Sequence, residues 1–149
     1  MDPAEYLVTT DKSLFDVAAI HAYLTRSYWS PGIPLETVAR AIDNSLCFAV
    51  LRGREQIGFA RVITDKATFA YLADVYVLEG HRGQGLSKRL MQAVNSHPEL
   101  QGLRRFMLAT LDAHGLYRQF GFAAPASPGN LMERLDPDIY TRRRLTSSP

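Results

Sequence analysis

Apolar residues recur along this chain with two different periods, and each change of period marks an element. Tyr6 to Thr9 is short and apolar enough for a first strand. Leu14, Val17, Ile20 and Leu24 then fall at helical spacing, with Asp11 or Ser13 ahead of them as a cap. His21 lies beside that stripe and reads as a packed or edge histidine. Ser27 to Pro34 carries two prolines and a glycine and predicts a loop. Pro34 suits the first turn of a second helix, whose inner side holds Leu35, Val38 and Ile42. Leu46 to Leu51 and Ile57 to Ile63 read as hairpin strands around Arg52-Gly53-Arg54-Glu55. Thr64-Asp65-Lys66 turns the chain into a third strand, Phe69 to Val77, which is apolar, aromatic and β-branched.

The helical period returns at Leu86, Leu90, Ala93 and Val94 and stops at His97-Pro98, because a residue before proline avoids the helical region. Leu103 to Thr110 predicts a further strand, Asp112 to Phe120 a short helix, Pro125 to Pro128 a loop, and Leu131 to Leu135 a last strand. The order is β-α-α-β-β-β-α-β-α-β, an α/β (α+β) pattern. The 149 residues suit one domain, 1–149, with 136–149 a polar C-terminal tail.

Between the third strand and the long helix lies Glu79-Gly80-His81-Arg82-Gly83-Gln84-Gly85-Leu86-Ser87-Lys88-Arg89. Its glycines allow tight bends and a close approach of backbone to a ligand. The first amides of a helix have no intrahelical partner, and the helix dipole makes that end positive, so a phosphate fits there. Arg82, Lys88 and Arg89 add charge; the alternative is an ordinary turn with a solvated basic face. The run is not a P-loop, which needs G-x-x-x-x-G-K-[ST]. Nor is it a dinucleotide fingerprint, since Lys88 stands where the third glycine belongs.

Composition narrows the classes. Apolar residues make up 46% of the chain, as a globular protein requires. No apolar run is long enough to span a bilayer, and Met1 to Tyr6 lacks the apolar core of a secretory leader. The lone cysteine, Cys47, sits in the apolar run Leu46-Cys47-Phe48-Ala49-Val50 and reads as core; no metal-ligand spacing is present. These features predict a cytoplasmic protein with no membrane partner. A net charge of +2 predicts no nucleic-acid partner. Arg142-Arg143-Arg144 reads as part of a solvated terminus.

The loop Arg82-Gly83-Gln84-Gly85-Leu86-Ser87 resembles the R-x-x-G-x-[GA] acetyl-CoA pyrophosphate loop of the GNAT superfamily of N-acyltransferases, departing from it only at Ser87. Ala113-His114-Gly115-Leu116-Tyr117-Arg118-Gln119-Phe120-Gly121-Phe122 is similar to the family's A-x-x-L-Y-x-x-x-G-F segment. The resemblance runs from Tyr6 to about Leu135. It implies a mixed, mostly antiparallel sheet flanked by helices, with acetyl-CoA as co-substrate. It further implies that the backbone of Val75, Tyr76 and Val77 pairs with the pantetheine and that the pyrophosphate rests on amides from Arg82 through Gly83, Gln84, Gly85, Leu86 and Ser87. A backbone amide such as that of Val75 is then placed to stabilise the oxyanion.

The same resemblance gives Tyr117 the task of protonating the departing thiolate; otherwise it is a core aromatic. A phenol of pKa about 10 facing a thiol of about 8.5 makes full transfer uphill by roughly 2 kcal/mol, so a hydrogen bond to the sulfur can suffice. Many family members carry a glutamate in the strand before the loop, where this chain has Ala73 followed by Asp74. Asp74 is either a base or a buried carboxylate bonded to backbone, depending on where the strand bulges. Asp112 and His114 are further candidates. Freeing a lysine-like amine at pH 7 costs about 4.6 kcal/mol and an α-amine about 1.4, so water suffices for the latter. Tyr28 and Trp29 either pin their loop or form one wall of an acceptor pocket.

The expected function is an N-acetyltransferase moving an acetyl group from acetyl-CoA to a primary amine of a small molecule or peptide. The alternative is a non-catalytic acyl-CoA sensor or an interaction module. Edge strands near the C-terminus invite pairing into a homodimer.

Overall fold

The computed structural model describes residues 5–146. The readings made for Met1 to Ala4, for the side chains of Arg143 and Arg144 and for the last three residues lie outside what is described. The elements are β1 (Leu7–Thr9), α1 (Val17–Leu24), α2 (Leu35–Asp43), β2 (Leu46–Arg52), β3 (Glu55–Thr64), β4 (Phe69–Val77), α3 (Leu86–Ser96), β5 (Arg105–Leu108), α4 (His114–Arg118) and α5 (Ile139–Thr146). One sheet has the order β1-β2-β3-β4-β5. Its first three pairings are antiparallel and β4–β5 is parallel. The mixed sheet flanked by helices is the class the sequence predicts.

The sheet separates two apolar layers. On one face Phe48, Val50, Ala60, Val62 and Leu72 pack against α3, which buries Leu86, Leu90, Met91 and Val94. Each of those helix side chains contributes roughly 1.5–3 kcal/mol relative to exposure. On the other face Cys47, Phe59 and Tyr76 pack against Ile20 and Leu24 of α1 and Val38 and Ile42 of α2. Cys47 is buried, as its apolar setting predicts, and desolvation raises its thiol pKa to about 11.

The alternation of β4 breaks once. Arg61 pairs with Ala73 and Phe59 with Tyr76, so Ala60 alone faces both Asp74 and Val75. This is a β-bulge, and Asp74 takes φ +57° to make it. The bulge reverses the phase of the strand. Leu72 and Val77 end on the α3 face while Tyr76 joins the α1–α2 face, whereas strict alternation would place Leu72 and Tyr76 together. Gly58, opposite Val77, admits this strand closely: a Cβ there would lie 2.9 Å from the Tyr76 carbonyl oxygen.

Three local expectations are corrected. α1 begins at Val17 and is capped by Asp16, whose carboxylate accepts from the Ala19 N–H; Asp11 caps a separate short 3-10 turn, Lys12–Leu14. No strand forms at Leu131 to Leu135: that stretch makes no ladder and leaves Met132 and Leu135 exposed. The polar tail contains α5, where Arg142 pairs with Asp136 just ahead of the helix. Among the described residues, no helix is long and apolar enough to cross a membrane.

Candidate active site

The parallel pairing of β4 with β5 runs from Phe69–Arg105 to Leu72–Leu108 and stops there. β4 continues to Val77, so its last residues diverge from the β5 side and leave a cleft between them. That cleft, of about 1220 Å³, is lined by Ala73 to Val77 on one side and Leu108 to Ala113 on the other. Tyr28, Trp29 and Tyr117 also line it. A smaller groove of about 170 Å³ adjoins it at the start of α3, bounded by His81, Gly83, Gly85, Ser87 and Lys88. Arg82 and Ser87 border both spaces.

The start of α3 is open. Gly85 occupies the N-cap in the left-handed region, φ +75°, and supplies no side-chain cap. The first amides of the helix therefore keep their hydrogen-bonding capacity and the positive end of its dipole. Gly83 also has φ +81°, and a Cβ at either glycine would project into open space. The arrangement suits a phosphate group, with Gly83, Gln84, Gly85, Leu86 and Ser87 forming the turn. Arg82 differs from its expected part. Its N–H donates to the Glu79 carbonyl, and its guanidinium turns back to the Val77 carbonyl at 2.9 Å and the Tyr23 hydroxyl at 3.2 Å. Arg82 thus ties the loop to the end of β4. The Oε1 of Gln84 is buried without a hydrogen-bond partner.

At the far side of the junction, the Tyr6 hydroxyl and His81 Nδ1 lie 2.8 Å apart, and Arg89 donates to the Tyr6 carbonyl at 3.0 Å. These contacts fasten the first strand to the loop. Tyr76 faces away from the groove and stacks on Tyr23, with ring centroids 3.9 Å apart and planes 8° apart. Burial pushes its phenol far above the usual range, aided by Tyr23.

Tyr117 sits on α4, 8% exposed, with its ring against Phe122 and its place on the cleft wall set by the short helix. Burial raises its phenol pKa, and the nearby Tyr28 and Asp112 add to the rise. It is consequently protonated at neutral pH. His114 is not among the cleft-lining residues, whereas Asp112 is.

Both oxygens of Asp74 are engaged. Oδ1 accepts from the Trp29 indole N–H at 2.9 Å and Oδ2 from Arg61 Nε at 2.7 Å. The Arg61–Asp74 pair is largely buried, and Arg61 reaches on to Ser45 Oγ at 3.2 Å. The alternative of a carboxylate bonded to backbone is thus replaced by two side-chain partners. Arg61 is absent from the residues the sequence singles out. The signal was present: Arg61 is the lone charge between Ile57 and Ile63, and Asp74 the lone charge between Phe69 and Val77 in the adjoining strand. His21 Nε2 donates to the Ile33 carbonyl at 3.0 Å, pinning the Trp29 loop, as an edge histidine would. Among the described residues, no group of three or more His, Cys, Asp or Glu side chains gathers to hold a metal.

The sequence profile of the acetyltransferase (GNAT) domain matches residues 43–124, more than half of the chain. A Gibberella zeae protein named as an acetyltransferase is 37% identical over 136 residues, covering 76% of each chain. A histone acetyltransferase of Glycine max is 34% identical over 100 residues, which span 59% of this chain and 43% of that protein. A crystal structure of a GNAT-family protein from Xanthomonas campestris pv. campestris superposes with TM-score 0.89 at 56% identity, over 91% of this chain and 96% of that one. A Deinococcus radiodurans structure shares the fold at 23% identity, with TM-score 0.75 over 94% of each chain.

Proposed function

The chain belongs to the GNAT acetyltransferase family, and from that premise we propose that it transfers an acetyl group from acetyl-CoA to a primary amine, by direct attack within a ternary complex. The observation that carries this reading is the divergence of β4 from β5 beyond Leu72, with the uncapped start of α3 at one end of the opening and Tyr117 on its wall. Bound acetyl-CoA supplies a thioester whose carbonyl carbon takes the amine nitrogen, so that the C–N bond forms, the C–S bond breaks, and one proton leaves nitrogen while the thiolate gains another.

The chain's own residues divide the work. The free edge of β4 at Val75, Tyr76 and Val77 offers backbone groups to the pantetheine in the manner of an added strand. Amides of Gly83 to Ser87, with the Ser87 hydroxyl and the Lys88 charge, hold the diphosphate. The Val75 N–H, beside the bulge at Asp74, stabilises charge developing on the carbonyl oxygen. Tyr117 donates its phenolic proton, or a hydrogen bond, to the sulfur. The nitrogen's proton passes to water, because both oxygens of Asp74 already accept from Trp29 and Arg61. Orientation of two substrates in one cleft supplies much of the remaining acceleration.

We further read residues 1–149 as one domain. The β5 edge, paired on one side only, together with the exposed Leu131, Met132 and Leu135, favours pairing with a second copy. The test is a thermal-shift titration with CoA followed by thiol release from acetyl-CoA over a panel of primary amines. Stabilisation that saturates, with amine-dependent thiol release, is expected. Stabilisation without release identifies a sensor, and no stabilisation removes the reading altogether.

A further inference from the structure

Trp29 and Tyr28 are exposed, at 40% and 60%, in a loop otherwise tightly tied down. Ser27 and Ser30 bond to each other at 3.0 Å, Ser27 Oγ donates to the Leu24 carbonyl at 2.7 Å, and His21 meets the Ile33 carbonyl. The loop's hold on its own helices does not require the indole. The indole N–H nevertheless reaches across to β4 and donates to Asp74. Asp74 adopts a left-handed backbone to receive it, a conformation that costs a non-glycine residue energy. Its second oxygen is anchored by Arg61, itself anchored by Ser45. A strained, doubly anchored carboxylate thus fixes the angle of one aromatic ring that faces the cleft.

The ring is not alone. Tyr28 stands 5.0 Å from Trp29 with planes 83° apart, so the two form a right-angled corner. Both border the cleft that also contains Tyr117. A flat ring can stack on one wall of such a corner while meeting the other edge-on, the geometry aromatic pairs prefer. A puckered ring of the same size cannot meet both walls in this way.

We propose that Asp74 is a positioning residue that sets Trp29, and that the Tyr28–Trp29 corner receives the planar apolar body of the acceptor amine. This rests on the acetyl-transfer reading for the role of the site, but its test does not require turnover. Trp29 is the sole tryptophan, so intrinsic fluorescence reports on the corner directly.

The experiment titrates benzylamine and cyclohexylmethylamine, equal in carbon count but planar and puckered, into the protein with and without saturating CoA, following Trp29 emission. Benzylamine should perturb the emission saturably and bind about fivefold more tightly than its puckered counterpart. Asp74→Ala should shift the emission to the red, raise its quenching by acrylamide and abolish the preference. Asp74→Asn, which keeps an oxygen for the indole and removes the ion pair, should restore emission and preference. Equal binding of the two amines, or an unmoved emission in Asp74→Ala, overturns the proposal. Failure of CoA to bind counts against acetyl transfer alone, since the amine titration without CoA still decides the corner.

Discussion

The Trp29 indole N–H donates to Asp74 Oδ1 at 2.9 Å, joining the loop between the first two helices to the bulge in the central strand. Under the proposed function, this bond makes the acceptor side of the cleft depend on the strand that also meets the acyl donor. A change in the bulge should therefore be felt on both sides of the reacting centre.

Gly58→Ala tests how closely β3 and β4 must approach. The added methyl would lie 2.9 Å from the Tyr76 carbonyl oxygen and 3.3 Å from the Val50 side chain, both held in the sheet. Overpacking of this kind costs typically about 1–3 kcal/mol. Denaturant unfolding should show that loss.

Ser87→Glu separates stability from ligand binding. A carboxylate in the first turn of α3 is favoured by the helix dipole, by about 0.3–1 kcal/mol. The melting temperature should hold or rise. The same carboxylate occupies the groove bounded by Gly83, Gly85 and Lys88 and repels a diphosphate, so CoA affinity measured by calorimetry should fall at least about tenfold. Unchanged affinity would place the diphosphate elsewhere.

Tyr117→Phe removes the proposed proton donor while keeping the ring against Phe122. A fall in kcat of roughly a hundredfold is expected, at the low end for acid–base groups. Because burial raises the Tyr117 pKa, the wild-type rate should hold through neutral pH and decline only above the ordinary phenol range. That alkaline limb should be missing from the pH profile of the Phe variant.

Alkaline stability follows from Cys47. Its thiol pKa is raised from 9.0 to about 11, so the folded state retains a proton that the unfolded chain has lost. The stability this group supplies is complete below about pH 9 and is lost as pH climbs through about 11, by on the order of 2–3 kcal/mol. Tyr76 and Tyr117, also raised by burial, extend the loss beyond pH 10. In Cys47→Ser the portion between pH 9 and 11 should flatten, as seen in urea midpoints taken across that range.

Most of the fold was readable before any coordinates. β4 spans Phe69–Val77 and α3 spans Leu86–Ser96, as their periods predict. Each is long, strongly patterned and bounded by proline or glycine. Errors gathered where the pattern was short. Leu131 to Leu135 has the composition of a strand, but a strand needs an edge to pair with, and none meets it within the described residues. The start of α1 was misplaced because Asp11, Ser13 and Asp16 are all competent caps, and only contact decides among them.

Sequence alone settled what local chemistry can settle: a glycine turn leading into a helix with bare amides, an apolar strand before it, and a tyrosine in a short segment after it. Those features depend on residues a few positions apart. Tertiary structure decided where Asp74 points and whom it serves. A bulge inserts one residue into one strand of a pair, so its position is a property of both strands and appears in neither. Once Asp74 and Val75 share a single partner in Ala60, the carboxylate turns toward Arg61 and Trp29. Its two oxygens then accept from groups 45 and 13 positions away, distances over which no periodicity carries information.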